Sequence, residues 1–168
     1  MKKYFKNFSF RISHFSFQRA FTLIELLITI SLMSILMLSS VPAFFSYTKS
    51  QSFQTGISDI IALLNKAKSR SLSQVKPPDC NGLKLQGYQV VLTLSGSSYQ
   101  LEALCDNNRY PIEKKNLPTK ITFAATSTAI VFFNASTGTL SSPVNVIVAG
   151  YNKSKTINID GVGTISIQ

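Results

Sequence analysis

A dense apolar block runs from Phe21 to Phe45, directly after a stretch that is polar, aromatic and basic. Leu23, Ile24, Leu26, Leu27, Ile28, Ile30, Leu32, Met33, Ile35, Leu36, Met37, Leu38 and Val41 dominate it. A run of about 20 predominantly apolar residues is long enough to span a bilayer as a helix. Ser31, Ser34, Ser39 and Ser40 are compatible with that environment, because a hydroxyl bonds back to the carbonyl one turn earlier. Five of the 17 basic residues (Lys2, Lys3, Lys6, Arg11 and Arg19) precede Phe21, and none of the 7 acidic residues does. A positive flank stays cytoplasmic, so the C-terminal part is expected outside the cytoplasm. The formal charge is +10 for the whole chain, but 12 basic against 7 acidic residues leave +5 from Phe21 onward. Half of the basicity thus belongs to residues 1–20, which read as a targeting leader that is removed.

An anchor alone does not explain Glu25. A carboxylate within the hydrocarbon costs about 2.5–3.5 kcal/mol on insertion scales. The nearest cation able to offset it is a new α-ammonium, created by a cut before Phe21, on this chain or on a neighbour shifted along a filament. Two other arrangements compete: an uncleaved signal anchor, and an ordinary secretory signal cut at the small-x-small site Val41-Pro42-Ala43. Neither requires Glu25, and the charge break falls right before Phe21 rather than near Ala43.

Phe21-Thr22-Leu23-Ile24-Glu25-Leu26-Leu27-Ile28, after a basic leader ending in a small residue, resembles the type IV prepilin cleavage and methylation motif. That motif is shared by type IV pilins, minor pilins and the pseudopilins of type II secretion. The resemblance implies that a membrane prepilin peptidase cuts between Ala20 and Phe21 and that Phe21 is N-methylated. It also implies that Glu25 guides assembly by pairing with the N-terminus of a neighbouring subunit. The partners it implies are prepilin peptidase, other pilin or pseudopilin subunits in a filament, and membrane lipid before assembly. Ala20 stands where the family usually has Gly, and the leader is longer than many.

The helix is expected to continue beyond the apolar block. Phe53, Ile57, Ile60, Ile61, Leu64, Ala67 and Leu72 recur at three- and four-residue steps, one face of an α-helix. Lys76-Pro77-Pro78 stops it. From Phe21 to about Val75 such a helix would be about 80 Å long. Pro42 interrupts it and is expected to kink or loosen it; type IV pilins resemble this chain in having a proline near that place. Residues 1–20 therefore read as leader, 21–45 as transmembrane and filament-core helix, 46–76 as amphipathic helix, and 77–168 as a β-rich domain.

After Pro78 the hydrophobic period changes from 3.6 to 2. Tyr88 to Leu94, the turn Ser95–Ser98 and Tyr99 to Ala103 read as a hairpin. A polar, basic loop is expected from Asp106 to Thr119. Short strands follow at Ile121–Phe123, Ala129–Phe133, Val144–Val148, Ile157–Ile159 and Thr164–Ile167. About seven strands on one amphipathic helix make an α+β domain, and the prepilin resemblance implies a type IV pilin-like fold with an antiparallel sheet. Ile130-Val131-Phe132-Phe133-Asn134 with Gly138, and Ile157-Asn158-Ile159-Asp160-Gly161-Val162-Gly163-Thr164-Ile165, resemble the C-terminal domain of the H-type minor pseudopilin of general secretion and the fimbrial protein T family. Those relatives often carry Arg where Thr164 stands.

Cys80 and Cys105 lie in the part that would be exported, so an oxidised pair is expected, with two buried free thiols as the alternative. A bridge over 24 intervening residues stabilises by about 3 kcal/mol in the chain-entropy model. A strict register through the Ser95–Ser98 turn puts Cys105 opposite Tyr88, so the segment Asp79–Gly82 must fold back to reach it. His14, the single histidine, lies in the leader. The remainder therefore lacks the Ser-His and Cys-His pairs of nucleophilic catalysis, and no metal or cofactor is expected. A structural subunit is the leading expectation. A DNA-binding minor pilin is the alternative, with Arg109, Lys114, Lys115 and Lys120 as candidate phosphate contacts.

Overall fold

The computed structural model describes residues 22–168. Helix α1 spans Leu23–Ser73, 51 residues that include Pro42. By internal contacts the chain divides into two compact units, Met1–Ala43 and Phe44–Gln168, and each is described by itself.

Within the second unit, α1 buries one stripe: Phe53, Ile57, Ile60, Leu63, Leu64, Ala67 and Ser71. Their spacing is that of a helix packed on one side. The periodic reading is corrected at its end, because Leu72 is 46 % exposed while Ser71 is buried. Gly56 allows close approach of a loop, since a Cβ there would lie 3.2 Å from Pro118 Cδ. The helix ends where Gln74 turns to a left-handed φ of 51°, two residues before Lys76-Pro77-Pro78 forbids its continuation. A 3₁₀ turn, Pro78–Cys80, follows.

Eight strands complete the unit: β1 Leu85–Leu92, β2 Ser98–Cys105, β3 Asn108–Asn116, β4 Ile121–Phe123, β5 Ile130–Asn134, β6 Val144–Gly150, β7 Lys153–Ile159 and β8 Ile165–Ile167. They form two four-stranded sheets, ordered β3-β2-β1-β5 and β4-β6-β7-β8. All strand pairs are antiparallel. The arrangement is α+β, consistent with a type IV pilin-like fold. The sheets meet where Ser95 N–H donates to Phe123 O (3.0 Å) and Phe123 N–H to Gly96 O (2.9 Å). One core joins them to the helix: Tyr88, Leu101, Val131 and Phe133 from the first sheet, and Ile121, Phe123, Val146, Ile157 and Ile159 from the second.

The expected loop over residues 106–119 is in large part strand β3. It pairs with β2 from Asn108 to Asn116, with a bulge where Leu101 faces Glu113 and Glu102 faces Pro111. β3 is an edge strand, and an edge tolerates both the missing N–H of Pro111 and a row of charges. The hairpin register is also corrected. Tyr88 faces Ala103, and a second irregularity between Leu85 and Gly87 brings Cys105 opposite Leu85.

The C-terminal part of α1 is tied to both sheets by polar contacts. Ser71 Oγ donates to Phe133 O (3.0 Å) and accepts from Tyr88 N–H (3.1 Å), while Ser136 N–H donates to Ser71 O (2.9 Å). Lys68 Nζ donates to Gly163 O (2.9 Å). Gly163, at φ +76°, lies so close to the next turn that a Cβ would sit 2.5 Å from Gly138 O. The two glycines of the C-terminal pattern are thus mutual neighbours at the end of the helix.

Candidate functional site

Thr22 caps the start of α1. Its Oγ1 accepts the N–H of Glu25 at 3.3 Å, and Glu25 is the acidic residue of the first turn. Thr22-Leu23-Ile24-Glu25 is the S/T-x-x-E pattern of a capping box, and a carboxylate in a first turn also suits the helix dipole. The T-x-x-E spacing in the sequence is the signal of this local role for Glu25, separate from the cost of its charge in a membrane. Ala20 and Phe21, the expected cleavage and methylation positions, lie outside the described residues.

After the cap, Leu23, Ile24, Leu26, Leu27, Ile28, Ile30, Leu32, Met33, Ile35, Leu36 and Met37 are all more than half exposed. Among the described residues one helix is long and apolar enough to cross a membrane, and none of its most apolar stretch is buried within the chain. Thr29 Oγ1 bonds back to Leu26 O at 2.9 Å and Ser34 Oγ to Ile30 O at 2.8 Å, and Ser31 Oγ bonds to Leu27 O. These bonds leave a surface with little unpaired polarity. The side chains of Ser39 and Ser40 lie outside the described residues. Pro42 lies inside the helix, where its lack of an N–H leaves one carbonyl a turn earlier without its usual donor.

Cys80 and Cys105 are joined, with Cα atoms 6.0 Å apart, and both are fully buried. The fold-back that the pairing requires is supplied by the 3₁₀ turn. Asn81 N–H donates to Pro78 O (3.1 Å) and Leu83 N–H to Cys80 O (3.1 Å). Lys76 Nζ then holds Leu83 O at 2.7 Å.

The four candidate phosphate contacts do not form one patch. Gln100 faces Lys114 and Leu104 faces Arg109 across β2 and β3, which puts both cations on the sheet face opposite the buried Tyr99, Leu101 and Ala103. Lys115 faces Tyr99, on the helix side. There Glu113 accepts from Lys66 (2.5 Å) and pairs with Lys115 (3.3 Å). The hydrogen bond from Lys66 is the chief reason that the Glu113 carboxyl is held below its ordinary range, with Lys115 adding to it. Lys120 lies beyond β3, where its carbonyl packs against Gly150.

An exposed apolar helix that starts at a Thr-capped acidic turn, followed in the chain by a disulfide-stapled α+β unit, is the arrangement consistent with a type IV pilin-like fold. Residues 16–41 match the family described as the prokaryotic N-terminal methylation motif. The match supports a type IV prepilin-like protein that prepilin peptidase processes and that assembles with other pilins. No curated protein and no solved structure matches the chain.

Proposed function

We propose that the chain is a minor pilin or pseudopilin, a structural subunit of a type II secretion pseudopilus or a type IV pilus. Prepilin peptidase cuts between Ala20 and Phe21 and methylates Phe21. The span 21–45 then holds the protein in the inner membrane, with residues 77–168 outside the cytoplasm, until the helix enters the filament core. Pro42 loosens the helix on assembly, and Glu25 fixes the axial stagger by pairing with a neighbour's N-terminal ammonium. The observation that carries this proposal is the N-terminal methylation motif over residues 16–41, continued by an exposed apolar helix. The pattern of Gly138, Asp160 and Gly163 favours the H-type pseudopilin and fimbrial protein T branch. Gly163 meets Gly138 there, and Thr164 N–H donates to Asp160 Oδ1 at 2.6 Å.

Glu25 has a capping position as well as a charge, so the test must separate them. Glu25→Gln keeps a side chain that fits a capping box but removes the anion; Glu25→Leu removes both. Both variants should be processed and recovered in membranes like the native chain, because each lowers the insertion penalty. Both should be depleted from sheared filaments by a hundredfold or more, since breaking a buried pair costs about 3–5 kcal/mol. N-terminal sequencing should read Phe-Thr-Leu-Ile-Glu in the native protein. A Glu25→Gln chain that joins filaments like the native one would show that capping, not charge, is what Glu25 supplies.

A further inference from the structure

The end of the Phe44–Gln168 unit where its helix begins carries a set of cations that the proposed function does not use. β6 and β7 are joined there by a tight turn, with Tyr151 at φ 53° and Asn152 at φ 60°. The turn is fixed in place on three sides. Tyr151 Oη donates to Thr119 O (2.8 Å) and Lys153 Nζ to Ser50 Oγ (3.1 Å), and Gly150 packs on Lys120 so closely that a Cβ would lie 2.8 Å from its carbonyl oxygen. Along β7 the side chains at 153, 155, 157 and 159 share one face. Ile157 and Ile159 are buried in the core, but Lys153 and Lys155 lie beyond it and are exposed. Lys49, on the helix beside Ser50, and Lys120 are exposed as well.

Four exposed lysines therefore lie on this turn or on segments that touch it. Among the described residues the ion pairs are Lys66–Glu113 and Lys115–Glu113, so none of the four has a carboxylate partner. The next acidic residue along the helix, Asp59, is ten positions from Lys49, about 15 Å and beyond the Debye length of about 8 Å in physiological salt. The same end is aromatic. Phe44 is 67 % exposed and Tyr47 67 % exposed, and with Gln51, Thr55 and Pro118 they line a shallow groove beside the Thr119–Lys120 loop. Aromatic side chains next to lysines are the composition of a membrane–water interface.

We infer that this end docks on anionic lipid headgroups, with Lys49, Lys120, Lys153 and Lys155 meeting lipid phosphates and Phe44 and Tyr47 lying at the acyl boundary. The inference rests on the proposed membrane span, because Phe44 directly follows Ala43 in the chain. The charge favours lipid over a second copy of the chain. From Phe21 onward the chain is +5, and of its few acids Glu113 is held by two lysines while Glu102 is buried against Gln89 and Gln100. Docking would keep this end of an unassembled subunit at the headgroups in proportion to lipid charge, and would be given up when the subunit leaves the bilayer for a filament.

The test uses the full chain in lipid nanodiscs, with Ser154→Cys carrying a fluorophore and the native disulfide left oxidised. Quenching by nitroxide on lipid headgroups reads how near the turn lies to the membrane. In phosphatidylglycerol discs quenching should be strong at low salt, and in phosphatidylcholine discs weak. Replacing the four lysines by Gln should lower the docked-to-undocked ratio by roughly fivefold per lysine, and raised salt should do the same. Equal quenching in the two lipids, or no change in the four-lysine variant, would overturn the inference while co-elution with the discs leaves the span intact. Failure to co-elute with either disc would overturn the span and the inference together. Quenching that follows protein concentration and ignores lipid charge would assign the surface to a neighbouring subunit instead.

Discussion

Ser71 and Leu72 exchange the roles that helical periodicity gives them, and the exchange has a measurable size. Ser71 is fully buried and its hydroxyl bridges Tyr88 N–H and Phe133 C=O. Tyr88 and Phe133 also face one another in the β1–β5 ladder, so Ser71→Ala leaves each polar group a residual partner. The loss is then one net hydrogen bond of about 1 kcal/mol plus a small packing defect, about 1–2 kcal/mol in all. Leu72 is 46 % exposed, and its truncation to Ala should cost less than about 1 kcal/mol, against about 2–5 kcal/mol for a core leucine. The reverse change, Ser71→Leu, forces extra volume into a filled site and should cost more than either. Urea unfolding of the chain in mild detergent, followed by near-UV circular dichroism and tyrosine fluorescence, reads these differences. With a slope of about 2 kcal/mol/M, Ser71→Ala should lower the midpoint by about 0.5–1 M. If Leu72→Ala is the more damaging of the two alanine variants, the helix is rotated from the position described and the Ser71 bridge is not formed.

Replacing Cys80 and Cys105 together by Ala should lower stability by about 3 kcal/mol, and intact mass with and without reductant should differ by two hydrogens in the native chain. Tyr99 should ionise late in a spectrophotometric titration. Burial, then the negative charges of Asp59 and Glu113, push its hydroxyl up to about 12. A group with a raised folded value contributes stability that is intact below pH 10 and is lost as pH rises from about 10 towards 12. Tyr99→Phe should therefore flatten the loss of stability across that window.

The sequence carries the helix, its proline stop, seven of the eight strands and the N-terminal motif openly, because each rests on a local period or a fixed spacing. What it hides depends on tertiary placement. β3 reads as a loop because Arg109, Lys114 and Lys115 interrupt alternation and Pro111 breaks it, and only its position at a sheet edge makes that composition acceptable for a strand. Ser71 hides because a hydroxyl takes a core position only where two backbone groups wait for it. The partition into two sheets is likewise invisible, since strand order is set by long-range pairing rather than by pattern. The Thr22 cap was visible as T-x-x-E. The four-lysine turn was not, because Lys49 and Lys153 are 104 residues apart in the chain and are brought to one end by the contact of Lys153 with Ser50.

The disulfide has a mechanical side. In the filament proposed above, a subunit held by its N-terminal helix would receive pulling force along that helix. The chain leaves the helix at Ser73 and reaches Cys80 within seven residues. The bond carries tension straight across to Cys105, so the 24 residues between them cannot be paid out as slack. That withholds roughly 80 Å of extensible contour, and it shields the turn at Ser95–Ser98 and the β1–β2 ladder from being unzipped end to end. Under load such a subunit would give way first outside the loop, in the stretches between Asp106 and Gln168, while its first hairpin stayed closed.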